Sequence, residues 1–153
     1  MKKFLFAIAM FAALPVAAAD SNFGVKLGQF SIDGDTGAAT QVGLVYTWDI
    51  AGMFGIEGEL NTSLADGSFG PVDYSATQAG AYGVLMTPGP FYFKAKVGYL
   101  YTDVDVPAAD SSTDLGYGVG VGFELIGIVW EVEYTITDSD LGDADFISIG
   151  VKF

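Results

Sequence analysis

Three pairs of like charges stand two residues apart in this chain: Glu57 with Glu59, Lys94 with Lys96, and Glu131 with Glu133. Successive side chains of a β-strand point to opposite faces, so a spacing of two puts both members of a pair on one row. Carboxylates and ammonium groups gathered inside a protein must pair, because an isolated buried charge is too costly. Lys26, Lys152 and Glu124 fall on comparable polar rows. Such a network has two possible uses. It can form a gate or polar conduit, or it can be an internal plug whose charges only satisfy one another. The inward rows hold six acids, counting Asp49, against four lysines, so one or two acids are expected to be protonated or solvated.

Other chemistry is excluded by what is missing. The chain has no histidine and no cysteine. Imidazole bases, zinc–histidine sites, thiol nucleophiles, disulfides and cysteine-held metals are therefore ruled out. The glycines at 116, 118, 120 and 122 are spaced by two, unlike a dinucleotide-binding fingerprint. Asn61-Thr62-Ser63 matches a glycosylation sequon but lies on an inward row and is discounted. We expect no catalytic residue, no cofactor and no metal site.

The 153 residues carry 19 acids and 6 lysines, a formal charge of −13. That balance argues against nucleic acid, which needs a basic face. Residues 1–19 read as a secretory leader. Lys2 and Lys3 precede an apolar run, and Ala17, Ala18 and Ala19 stand before Asp20. The apolar run is shorter than the ~20 residues a spanning helix needs. Residues 20–153 then form one domain, with no long apolar run.

The elements that position the charges are strands, because that domain repeats with period two. In 115–125, Leu115, Tyr117, Val119, Val121 and Phe123 oppose four glycines and Glu124. In 128–136, Trp130, Val132 and Tyr134 oppose Glu131 and Glu133. The segments 42–50, 54–64, 91–101 and 147–153 alternate in the same way. The first strand, from Phe23, changes phase so that Phe30 and Ile32 become apolar, which suggests a bulge near Gln29. The segment 74–86 is the hardest to orient, and we place Gln78 on its polar side. Eight strands of about nine to eleven residues suit a tilted bilayer crossing. Tight connections at 50–53, 87–90 and 126–127 alternate with longer, acidic ones. The expected fold is all-β: an eight-stranded antiparallel up-and-down transmembrane β-barrel.

Facing decides between a membrane barrel and a soluble one. The polar rows hold glycines rather than solvating side chains, and all four lysines beyond the leader lie on them. The apolar rows of the assigned strands carry no ionisable residue, as expected where a lysine at the bilayer midplane costs about 2–4 kcal/mol. Aromatics gather towards strand ends. Trp48, Phe54, Phe91, Phe123 and Trp130 lie near the tight turns, and Tyr99, Tyr101, Tyr117 and Tyr134 near the acidic loops. This is the pattern of two aromatic girdles. Twelve loop aspartates, from Asp33 to Asp145, could hold divalent cations or bridge through them to lipopolysaccharide phosphates. They lack EF-hand spacing, and solvated, mutually repelling loops are the plainer reading.

The segment 146–153, with Ile149, Val151 and terminal Phe153, resembles the C-terminal signature of bacterial outer-membrane barrels. The stretches 91–98, 115–123 and 131–134 resemble small members of the OmpA/OmpX-like superfamily. The resemblance spans 20–153 and implies several things. The location would be the Gram-negative outer membrane, with periplasmic termini and extracellular acidic loops. Ile149, Val151 and Phe153 would be read by the barrel-insertion machinery. Outer-membrane lipid and lipopolysaccharide would be partners, any extracellular partner being unnamed. The expected role is a non-enzymatic barrel that supports the envelope or presents loops. The alternative is a narrow channel for small polar solutes or ions. A barrel enzyme acting on lipid is disfavoured, because such enzymes generally depend on histidine.

Overall fold

The computed structural model describes residues 21–105, 111–138 and 143–153. The leader at 1–19 lies outside the described residues, as do loop residues Asp110 and Asp140. The strands are β1 (Ser21–Ile32), β2 (Ala39–Ala51), β3 (Phe54–Ala65), β4 (Gly67–Phe69), β5 (Val72–Met86), β6 (Phe91–Asp105), β7 (Ser112–Leu125), β8 (Ile128–Asp138) and β9 (Ala144–Lys152). Every pairing is antiparallel. The order β3-β2-β1-β9-β8-β7-β6-β5 closes on itself through β3 and β5. Eight strands make the barrel, and β4 is a short addition paired with the start of β5. Among the described residues no helix is long and apolar enough to cross a membrane.

Alternation sorts the side chains as the sequence suggests. In β6, Lys94 and Lys96 are buried inside, while Phe91, Phe93, Val97 and Tyr99 are exposed outside. In β5, Gln78 and Tyr82 point inward, which settles the facing of that strand. The bulge expected near Gln29 is absent: β1 pairs without interruption to β2 through Phe30 and to β9 through Ile32. The phase never changes, and Phe30 and Ile32 are apolar residues that point inward. The register shifts that do occur lie between β2 and β3, at Thr40/Gln41 and Asp49/Ala51.

One end of the barrel has tight turns. The β7–β8 connection is Ile126-Gly127, and both residues have positive φ (56° and 72°), as a type I′ hairpin demands. The other end is built up. Gly37 pairs with Ser68, so the β1–β2 loop covers the free edge of β4. A covered edge offers no ladder to another chain.

Candidate functional site

The like-charged pairs become two stacked rings. The lower ring, nearer the tight turns, alternates Lys94, Glu57, Lys152 and Glu131. Lys94 lies 2.9 Å from Glu57 and 2.7 Å from Glu131, and Lys152 lies 2.9 Å and 3.2 Å from the same two acids. The upper ring alternates Lys96, Glu59, Lys26 and Glu133. Lys96 sits 2.6 Å from each of Glu59 and Glu133, and Lys26 sits 2.7 Å and 3.5 Å from them. Lys94 also pairs with Glu133 and joins the rings. Strand geometry explains the arrangement, because residues two apart differ by one step along the axis and share a face. Each pair on β3, β6 and β8 therefore gives one member to each ring, and β9 and β1 supply the fourth corners.

All eight side chains are nearly inaccessible, so an unpaired charge here would be severely penalised. Each ring holds two acids and two lysines and is neutral by itself. The two surplus acids expected from the sequence lie outside the rings. Glu124 is exposed near the tight-turn end, one inward step beyond Gly122. Asp49 lines the same mouth, a polar cavity of about 240 Å³ bordered also by Asn22, Thr47, Tyr92 and Lys152. Carboxylate oxygens of Glu57, Glu59 and Glu133 lie within 4.8 Å of one another, close enough to suggest a cation site. The lysine ammonium groups already neutralise them, so these residues do not fit a metal.

Glycine makes room for the network. Positions 116, 118, 120 and 122 of β7 face Gly98, Lys96, Lys94 and Tyr92 of β6. A Cβ at Gly118 would come within 3.0 Å of the Lys96 chain, and one at Gly122 would strike the Tyr92 ring. Tyr92 uses that space to donate to Glu131 at 2.6 Å. Lys96 lies 4.2 Å above the ring of Tyr82.

Above the rings, Gln41, Asn61, Gln78 and Thr102 form a buried neutral layer on consecutive barrel strands. The last inward positions are apolar, with Phe30, Ile32, Tyr74, Ala76, Val104 and Phe146 in one buried cluster. The Tyr74 hydroxyl donates to Asp35 at 2.9 Å and to the Phe30 carbonyl at 3.3 Å. This apolar cap was not read from the sequence. Its signal in the sequence is the apolar pair Phe30 and Ile32 on an otherwise polar inward row.

Trp48, Phe54, Phe91, Phe123 and Trp130 are exposed on the outer surface towards the tight-turn end, and Tyr99, Tyr101, Tyr117 and Tyr134 towards the loop end. Ile149 and Phe153 point outward on the closing strand and Val151 is half-buried. Phe153 and Phe23 exchange backbone hydrogen bonds.

A closed antiparallel barrel with a continuous apolar outer surface and its charges inside is the form in which strands span a membrane, since every backbone group is paired and no edge meets lipid. The protein is a membrane-spanning β-barrel by this construction. Residues 4–153 match the family described as outer membrane protein beta-barrel domain, and the chain belongs to that family, whose place is the bacterial outer membrane. The fold is similar to Ail, the attachment invasion locus protein of Yersinia pestis, with a TM-score of 0.60 and 16% identity over 86% of this chain and 94% of that one. It is similar to Neisserial surface protein A, with a TM-score of 0.58 and 15% identity over 86% and 94%. It is also similar to the outer membrane enzyme PagL, with a TM-score of 0.52 and 12% identity over 86% and 98%. At such identities the likeness extends to fold alone. No curated protein matches the chain.

Proposed function

We propose that the protein is a non-enzymatic, non-conducting barrel that supports the outer membrane and presents its acidic loops outside the cell, its termini facing the periplasm. The observation that carries this reading is the pair of neutral ion rings filling the lumen. An eight-stranded barrel has an interior that side chains largely fill. Here the ring charges are consumed by one another across the lumen. The absence of histidine and cysteine supports a non-catalytic role. Outward Ile149, Val151 and Phe153 serve as the segment that the insertion machinery reads. The aromatic girdles sit at the two lipid interfaces. Lipid and lipopolysaccharide are the standing partners.

Planar-bilayer recording of purified protein tests the reading, with silent membranes as the expected result. Steady unit conductance would replace it with the narrow-channel reading, which the polar mouth around Asp49, Tyr92 and Lys152 favours. Incubation with phospholipid vesicles is expected to release no fatty acid. Release that depends on protein dose would favour a lipid enzyme.

A further inference from the structure

We infer that the lumen is closed by two seals in series, the ion rings and a separate latched cap whose keystone is Tyr74. The inference rests on the non-conducting reading and extends it. Inward rows change character along each strand. In β1 the row runs from Lys26 through Gly28 to Phe30 and Ile32. In β9 it runs from Lys152 through Ser148 to Phe146 and Ala144. Apolar constrictions exclude ions by dewetting, without needing charge. The cap has this character, with Phe30 and Tyr74 each 1% exposed and Phe146 5%.

The cap is held by its own bonds. Tyr74 binds Asp35 and the Phe30 carbonyl, and its ring packs on Phe69 at 5.0 Å. Thr36 and Gly37 donate backbone hydrogen bonds to the Ser68 carbonyl at 2.7 and 3.2 Å, and Gly70 donates to the Thr36 hydroxyl at 2.9 Å. A Cβ at Gly67 would strike the Tyr74 ring, so the hairpin closes directly over it. Between the cap and the rings the closest aromatic–cation contact is Lys26 over the Phe146 ring at 5.0 Å. Loop and hairpin are thus fastened to each other, and cutting the rings leaves the latch in place.

The test records conductance from four proteins. They are the wild type, a ring variant (Glu57→Ala, Glu59→Ala, Lys94→Ala, Lys96→Ala, which leaves two acids and two lysines), a cap variant (Tyr74→Ala, Phe146→Ala), and the combination. The first three are expected to be silent and the combination to conduct. A conducting ring variant beside a silent wild type overturns the cap as a seal and leaves the proposed function standing. A conducting wild type overturns the proposed function itself. A combined variant that folds, judged by a heat-dependent gel shift, yet stays silent overturns the two-seal arrangement. Should the ring variants not fold, a single Thr102→Cys reporter in the otherwise cysteine-free chain decides the matter. A maleimide should label it about tenfold faster once Tyr74→Ala is added, because a latch that holds by local stability governs access. Equal rates overturn the latch.

Discussion

Lys94 donates to both carboxylate oxygens of Glu57, at 2.9 and 3.1 Å, although β5 stands between their two strands. The contact crosses the lumen rather than running along the wall. It belongs to a lysine that also serves Glu131 and Glu133.

Replacing Lys94 with alanine therefore takes one lysine partner from three acids at once and leaves four ring acids facing three lysines. Removing one partner of a buried pair costs about 3–5 kcal/mol. Urea unfolding of the barrel in detergent should show a loss of about that size. Adding Glu133→Ala to Lys94→Ala should recover part of it, because the second change restores equal numbers of acids and lysines in the lumen. Unchanged stability for Lys94→Ala, or strict additivity in the pair, would contradict the ring model.

Gly122 carries no side chain because Tyr92 occupies the space. Gly122→Ala should push the ring off Glu131 and destabilise the barrel by about 1–3 kcal/mol, the usual cost of overpacking. In a Tyr92→Ala background the same change should be nearly neutral. The checking measurement is the double-mutant cycle in urea, and absence of coupling would show that the glycine is not there for the ring.

Ile126 has φ of 56°, a conformation that β-branched residues rarely tolerate. Ile126→Asn or Ile126→Gly should stabilise the hairpin by about 1 kcal/mol, since these residues adopt left-handed backbone at less cost. The comparison is unfolding midpoints at matched detergent concentration. A lower midpoint for both variants would mean that the isoleucine side chain contributes more at the interface than its backbone loses.

Gln41 is fully buried, and neither amide atom has a hydrogen-bond partner among the described residues. An unmet buried polar group costs about 1–3 kcal/mol. Gln41→Met keeps the chain length and removes the amide, so it should raise stability by a similar amount. A fall in stability would indicate that the amide is satisfied in the folded barrel in solution.

The wall of this barrel was legible in the sequence because alternation is a local property. The residues of Lys94 and Phe93 alone tell which side of β6 is dry. The rings were legible only as a set of charges, since the partner of Lys94 depends on register accumulated around several strands. Glu124 shares the inward row but lies beyond the rings, and alternation reports a row without reporting height along the axis. Phe30 and Ile32 look like a change of phase because they are apolar residues on an inward row that is polar over the rest of its length. β4 is three residues long, too short for any period to show.

The seam between β1 and β9 pairs Gly24 with Lys152, so the cylinder is completed by joining segments from opposite ends of the described chain. Seven other ladders can zip between segments nearer in sequence, but this one demands that nearly the whole polypeptide be gathered first. Contacts so remote in sequence carry the largest entropic toll and form slowly. Lys26 and Lys152 flank that seam, so neither ring is charge-balanced until it shuts. Assembly then has a natural checkpoint: an unclosed sheet holds uncompensated glutamates, and only the finished cylinder is electrically quiet enough to rest in hydrocarbon.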